Sequence, residues 1–237
     1  MNKDLKRFYK AVGVSEGQGG FRITLDGRVL RTPAKQELIL EKRCLADAIA
    51  EEWEAQEGKV DPASMPMMSL VSTALDNVVP NREIVITETA DYGAHDLLCY
   101  WATEEQPELR RRQSESWQPL LDWAALELDA ALVTTTGILP TDQPAGALVA
   151  LRKDVERLDD LELMAVAALT RAAGSLVLSL ATAHGQIAAG EAAKLSLLDE
   201  LYQAELWGED EEALKRRQNL ERDLLDAERF LGLVRVG

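Results

Sequence analysis

The hydrophobic pattern opens on β signals. Phe8-Tyr9-Lys10-Ala11-Val12-Gly13-Val14 is aromatic and β-branched, and Gly17-Gln18-Gly19-Gly20 ends it. Phe21, Ile23 and Leu25 then alternate with Arg22 and Thr24. Period two predicts strands, and Asp26-Gly27 between this run and Arg28-Val29-Leu30-Arg31-Thr32 predicts a type I′ hairpin turn, because both residues tolerate positive φ. Pro33 stops the return strand, and Glu37–Leu40 reads as one more. The period then changes. Leu45, Ala48, Ile49 and Trp53 share one helical face that Gly58 closes, and Pro66 opens a second helix through Met67, Val71, Ala74 and Val78.

Beyond Asn81 no convincing strand pattern remains. Pro107, Pro119, Pro140 and Pro144 punctuate helical stretches, and Thr134–Gly137 with Pro140–Gly146 forms a loop. Leu148, Leu151, Val155 and Leu158 resume helical spacing. Leu161–Ala183 is apolar almost all round and predicts a central helix; Glu191–Trp207, ended by Gly208, predicts another. Ala213, Arg217, Leu220, Leu224, Ala227 and Leu231 mark a last helix, with Glu209–Glu212 in its first turn, where negative charge suits the helix dipole. The expected fold class is α+β: a β-rich N-terminal domain, residues 1–80, with one or two helices, then an all-helical domain, residues 81–237.

Charge follows the same division. The 237 residues carry a net charge of −15. Residues 1–80 hold 11 basic and 12 acidic side chains, and residues 81–237 hold 15 and 29. So acid a surface should repel polyphosphate, which argues against nucleic-acid binding. Arg171 and several hydroxyls interrupt the most apolar stretch, which argues against membrane insertion. The charged start, MNKDLKRFYK, has no apolar run of an export signal, so a reducing cytoplasm is expected. Two cysteines make no disulfide framework.

Catalytic constellations are scarce. His95 and Cys99 stand four apart with Asp96 between them, but a packed core cysteine is the better reading than half a metal site. The early glycines fit neither nucleotide-loop spacing, and a strand follows them. Only His95 and His184 are present for imidazole chemistry. Paired acids such as Glu51/Glu52 and Asp199/Glu200 read as solvated helix faces. No catalytic residue, cofactor or metal is therefore assigned. Two stretches have the character of contact surfaces: Trp53 with Met65, Met67 and Met68, and Leu198–Gly208, where aromatics and acids alternate. Each reads equally well as packing.

The ordered runs LDGRVLRTPAK (25–35), IAEEWEAQ (49–56), Met65-Pro66, Thr73-Ala74-Leu75-Asp76, DLLCY (96–100), Gln113-x-x-x-Trp117-x-Pro119-Leu120-Leu121 and, above all, LDE-x-YQ-x-E-x-WG (198–208) resemble the Atp-twelve family. Its members are assembly chaperones of the F-type ATP synthase. Trp101, the methionine-rich 65–68 run and His95 depart from the family pattern. The resemblance implies a β-rich domain followed by a helical one. It also implies a non-enzymatic protein that binds the newly made α subunit of the catalytic sector and shields the surface a β subunit later occupies. Such a chaperone needs no nucleotide of its own and works as a monomer, in the bacterial cytoplasm or the mitochondrial matrix of eukaryotic relatives. The family's important acidic residue maps to Glu205, with Asp199 second. Tyr202, Gln203, Trp207 and Trp53 join them as expected partner-binding residues. The competing reading is a carboxylate-based small-molecule enzyme with a cleft between the two domains.

Overall fold

The computed structural model describes residues 6–137 and 139–236. These divide into two compact units. One holds residues 6–82, 160–164 and 229–236; the other holds Glu83–Asp159 and Ala165–Glu228.

The first unit is built on an antiparallel sheet of β1 (Val12–Gly17), β2 (Gly20–Leu25) and β3 (Arg28–Val29), in that order. Asp26 and Gly27 both take positive φ (49° and 77°), as a type I′ turn requires. The Asp26 carboxylate accepts the Lys10 and Ala11 N–H groups, and these hold its pKa below the ordinary range. Gly20 is obligatory in the other turn: a Cβ there would stand 2.3 Å from Leu40 O. The aromatic run at Phe8–Ala11 stays outside the ladder, and the strand begins at Val12. The strand expected at Glu37–Leu40 reduces to single bridges, Arg31↔Glu37 and Phe21↔Leu40. The reason is the tight Thr32–Gln36 turn, in which Lys35 takes φ 67° and Thr32 Oγ1 accepts Gln36 N–H.

Helix α1 (Arg43–Glu54) buries Leu45, Ile49 and Trp53, while Ile23 and Leu25 of the sheet are buried in the same unit. Helix α2 (Pro66–Thr73) buries Met67, Met68 and Val71. It widens into a π turn at Ala74–Val78, where Val79 N–H reaches back to Ala74 O just before Pro80. There the Asp76 carboxylate accepts Thr32 Oγ1–H at 2.6 Å and Ala34 N–H at 3.0 Å, tying the 32–36 turn to the helix. Glu52, expected on a solvated face, is buried. Its oxygens accept Met67 N–H at 2.7 Å and Met68 N–H at 2.8 Å, capping α2 from outside.

The second unit is helical: α3 (Arg82–Ala90), α4 (Pro107–Glu127), α5 (Ala145–Glu156), α6 (Asp160–Ala173), α7 (Leu176–Ala183), α8 (Ala189–Ser196), α9 (Leu198–Trp207) and α10 (Glu211–Arg235). The ends of α6 and α10 count with the first unit. Trp117, Leu121, Leu169, Val177, Leu178 and Leu224 form the centre of its core.

Two long helices expected from the apolar pattern are each interrupted. Leu161–Ala183 breaks because Gly174 turns left-handed (φ 66°) and Ser175 caps α7 with a bond from Leu178 N–H. Glu191–Trp207 breaks at the buried Leu197. A two-residue parallel pair, β4 (Tyr100–Trp101) with β5 (Thr135–Thr136), lies where no strand was expected. Among the described residues no helix is long and apolar enough to cross a membrane.

Candidate functional site

Five of the six expected contact residues lie on α9, a helix with no buried residue. Leu197 docks it at one end, and Gly208 (φ 89°) stops it at the other. The helix lies against α4, and two polar ties join them. Gln113, buried on α4, donates to Asp199 Oδ1 at 2.7 Å and accepts Ala102 N–H through its own oxygen at 2.7 Å. Partial burial raises the pKa of Asp199 against that bond. Six residues further along α9, Arg112 Nη1 grips both oxygens of Glu205, at 3.0 and 2.8 Å. The same guanidinium lies 5.2 Å from the centre of the Tyr202 ring.

Arg112 also belongs to a wider ionic array. It donates to Glu108, and Arg111 bridges Glu108 and Glu115. Those two arginines hold Glu108 down at about 2. Sequence reading did not single out Arg112; its signal is the run Arg110-Arg111-Arg112 in an otherwise acidic segment.

Beyond Glu205 the helix turns apolar toward water. Trp207 is 82% exposed and Leu206 55% exposed. A largely exposed indole at a helix end buries little apolar area within the fold and suits a contact surface. Gln203 is exposed as well. Trp53 is placed differently. It is buried in the first unit, edge-on to Tyr9 at 5.5 Å, and its carbonyl accepts the Tyr9 hydroxyl. Met65, Met67 and Met68 are buried too, so this stretch is core.

The His95–Cys99 pair is not on one helix. Two short 3-10 turns, Asp91–His95 and Leu97–Cys99, are separated by Asp96 in an extended conformation. His95 Nδ1 lies 3.1 Å from the Tyr100 hydroxyl, while Cys99 is fully buried. Burial, with the Asp96 charge nearby, pushes the Cys99 thiol up to about 12. A thiol so poised holds almost no thiolate at neutral pH. Iodoacetamide should therefore modify native protein at the half-buried Cys44 and spare Cys99 until the chain unfolds; peptide mass mapping checks this.

These observations can be set beside known proteins. Residues 6–125 match the family model described as ATP12 chaperone protein. A curated relative, the mitochondrial protein atp12 of Schizosaccharomyces pombe, is 27% identical over 219 residues, spanning 88% of this chain and 75% of that one. The crystal structure of Atp12 from Paracoccus denitrificans superposes with a TM-score of 0.92 at 43% identity, covering 98% of this chain and 99% of that one. An aspartate-to-lysine variant of the P. denitrificans protein gives the same TM-score at 41% identity, covering 98% and 100%. Family model and near-complete structural overlap agree, and this chain belongs to the ATP12 chaperone family.

Proposed function

We propose that this protein is an assembly chaperone of the F-type ATP synthase. It binds the free α subunit one-to-one, as a monomer, and shields the surface that a β subunit later occupies. It acts by binding alone, without catalysis or cofactor, in the bacterial cytoplasm; eukaryotic relatives do so in mitochondria. Family membership supports the chaperone role. One structural observation supports the surface: the α9 end joins an exposed Trp207 and Leu206 to a carboxylate, Glu205, that an arginine already holds.

A client for such a surface exposes an apolar interface rimmed by basic groups. Apolar contact supplies affinity, and rim charge tunes association rate and specificity. Glu205 and Arg112 are both solvent-accessible, so their screened ion pair contributes little to the fold. Glu205→Lys should therefore leave the circular-dichroism spectrum unchanged while α-subunit retention in a pulldown falls roughly tenfold, the scale of about 1.4 kcal/mol. Adding Arg112→Glu restores the internal ion pair with its signs reversed. If Glu205 reads the client directly, retention stays low in the double variant. Undiminished retention by Glu205→Lys, or failure of the unaltered chain to retain the α subunit, overturns the proposal.

A further inference from the structure

We propose that the outer edge of β1 accepts an extended basic segment of a partner protein as a fourth strand of the sheet. This stands independently of the client bound at α9.

The register is the first observation. Asp26 N–H donates to Ala11 O at 2.9 Å, so just before the strand the Ala11 carbonyl faces β2, while the Ala11 N–H goes to the Asp26 carboxylate. Bonded pairs alternate with unbonded ones along an antiparallel ladder. With Val12 opposite Leu25, Val14 opposite Ile23 and Glu16 opposite Phe21, those three residues of β1 are the unbonded ones. Their N–H and C=O groups face away from β2. The far side of β2 agrees: Leu30 N–H donates to Ile23 O at 2.8 Å, and Phe21 N–H donates to Leu40 O at 2.7 Å. β1 is the end strand of the sheet, and among the described residues no backbone group bonds to Val12, Val14 or Glu16 on the outer side.

Exposed edges are usually blunted with proline, lysine or a bulge. The β1 sequence VGVSEG has no proline or lysine, and its pairing with β2 runs unbroken over all six residues. Three outward N–H and C=O pairs, spaced about 7 Å apart, are what an added strand uses for its main-chain bonds.

The second observation is the wall beside that edge. A shallow, open depression lies between Val12–Val14 and one stripe of α1 formed by Arg43, Asp47, Ala50, Glu51 and Glu54. Three carboxylates face one guanidinium. Arg43 is spent on Asp47 at 3.4 Å, and Glu54 is shared with Arg7. Glu51 is exposed and has no side-chain partner among the described residues. The small Ala50 leaves this surface open. A strand laid here sets its side chains alternately to the two faces, and those on the helix side meet an acid stripe, so lysine or arginine fits. A second copy of this chain would bring its own acid stripe against this one, and like charges oppose self-pairing.

The test uses the full chain and a fluorescent eight-residue peptide of alternating lysine and valine, with the glutamate–valine peptide as control. Anisotropy should show the lysine peptide binding at least tenfold tighter. Val14→Pro removes an outward N–H and no ladder bond, and Glu51→Lys reverses the unpaired charge. Each should weaken the lysine peptide about fivefold. Saturating peptide should slow amide exchange at Val12, Val14 and Glu16. Binding that ignores both substitutions, or exchange unchanged at those amides, overturns the proposal in favour of diffuse attraction to a chain of net charge −15. A concentration-dependent dimer that Val14→Pro abolishes also overturns it, and assigns the edge to a second copy. Should Val14→Pro fail to fold, Glu51→Lys and the exchange pattern decide.

Discussion

Asp96→Ala is expected to cost about 4 kcal/mol of folding stability, through loss of a buried, fully engaged carboxylate. Asp96 has no exposed surface. Its Oδ1 accepts Leu98 N–H at 3.0 Å and the Ser175 hydroxyl at 2.7 Å, and its Oδ2 accepts Val177 N–H at 2.9 Å. One side chain thus caps the Leu97–Cys99 turn and the start of α7 together. Alanine would strand three donors in an apolar core that includes Leu98 and Val177. Urea denaturation should show the midpoint falling with its slope unchanged.

Asp96→Asn keeps the shape and should cost less. Its diagnostic is pH. Burial raises the Asp96 pKa against the pull of its donors, so the folded chain holds that proton more tightly than the unfolded one. The contribution is present in full below the unfolded value of 3.8 and declines as pH rises through the folded pKa. That decline should vanish in Asp96→Asn. If it persists, another group carries it.

The hairpin and the Gly208 stop of α9 were legible because they depend on neighbours in the chain; Gly58 was not the end of α1, which stops at Glu54. Asp26-Gly27 specifies a turn by itself, since both residues tolerate left-handed φ. Gly174-Ser175 carries the same kind of local signal, a C-terminal glycine followed by an N-cap serine, but the apolar run around it hides it. The break at Leu197 has no such signal. Leucine is a good helix former, and burial of its side chain accompanies the bend.

The α9 surface was half legible. Tyr202, Glu205 and Trp207 stand out by type and spacing, but their exposure follows from how α9 lies on α4, which is long-range information. Arg112 stayed hidden for the same reason: its partner Glu205 is 93 positions away. Trp53 shows the converse, an aromatic on an acid-rich helix whose ring faces the core. The edge of β1 could not be read at all, because an alternating strand looks the same whether one side or both are paired.

Glu51 and Glu52 put that limit to a direct test. Adjacent in sequence and chemically identical, they should respond very differently to alanine. Glu51 is exposed, and Glu51→Ala should lie within about 0.5 kcal/mol of the unaltered chain. Glu52 is 8% exposed, and its two oxygens take the Met67 and Met68 N–H groups. Those are the second and third N–H positions of α2, after Pro66, which has none to offer. A carboxylate there satisfies two orphan donors and meets the positive end of the helix dipole. Removing it should cost about 3 kcal/mol, because both donors stay buried. Glu52→Gln keeps one acceptor oxygen, brings an unwanted NH₂ against the second donor and should fall between. Thermal unfolding of the three variants reads the order directly. Equal losses at the two positions would mean that α2 does not depend on this cap, and that its start is held by the packing of Met67 and Val71 alone.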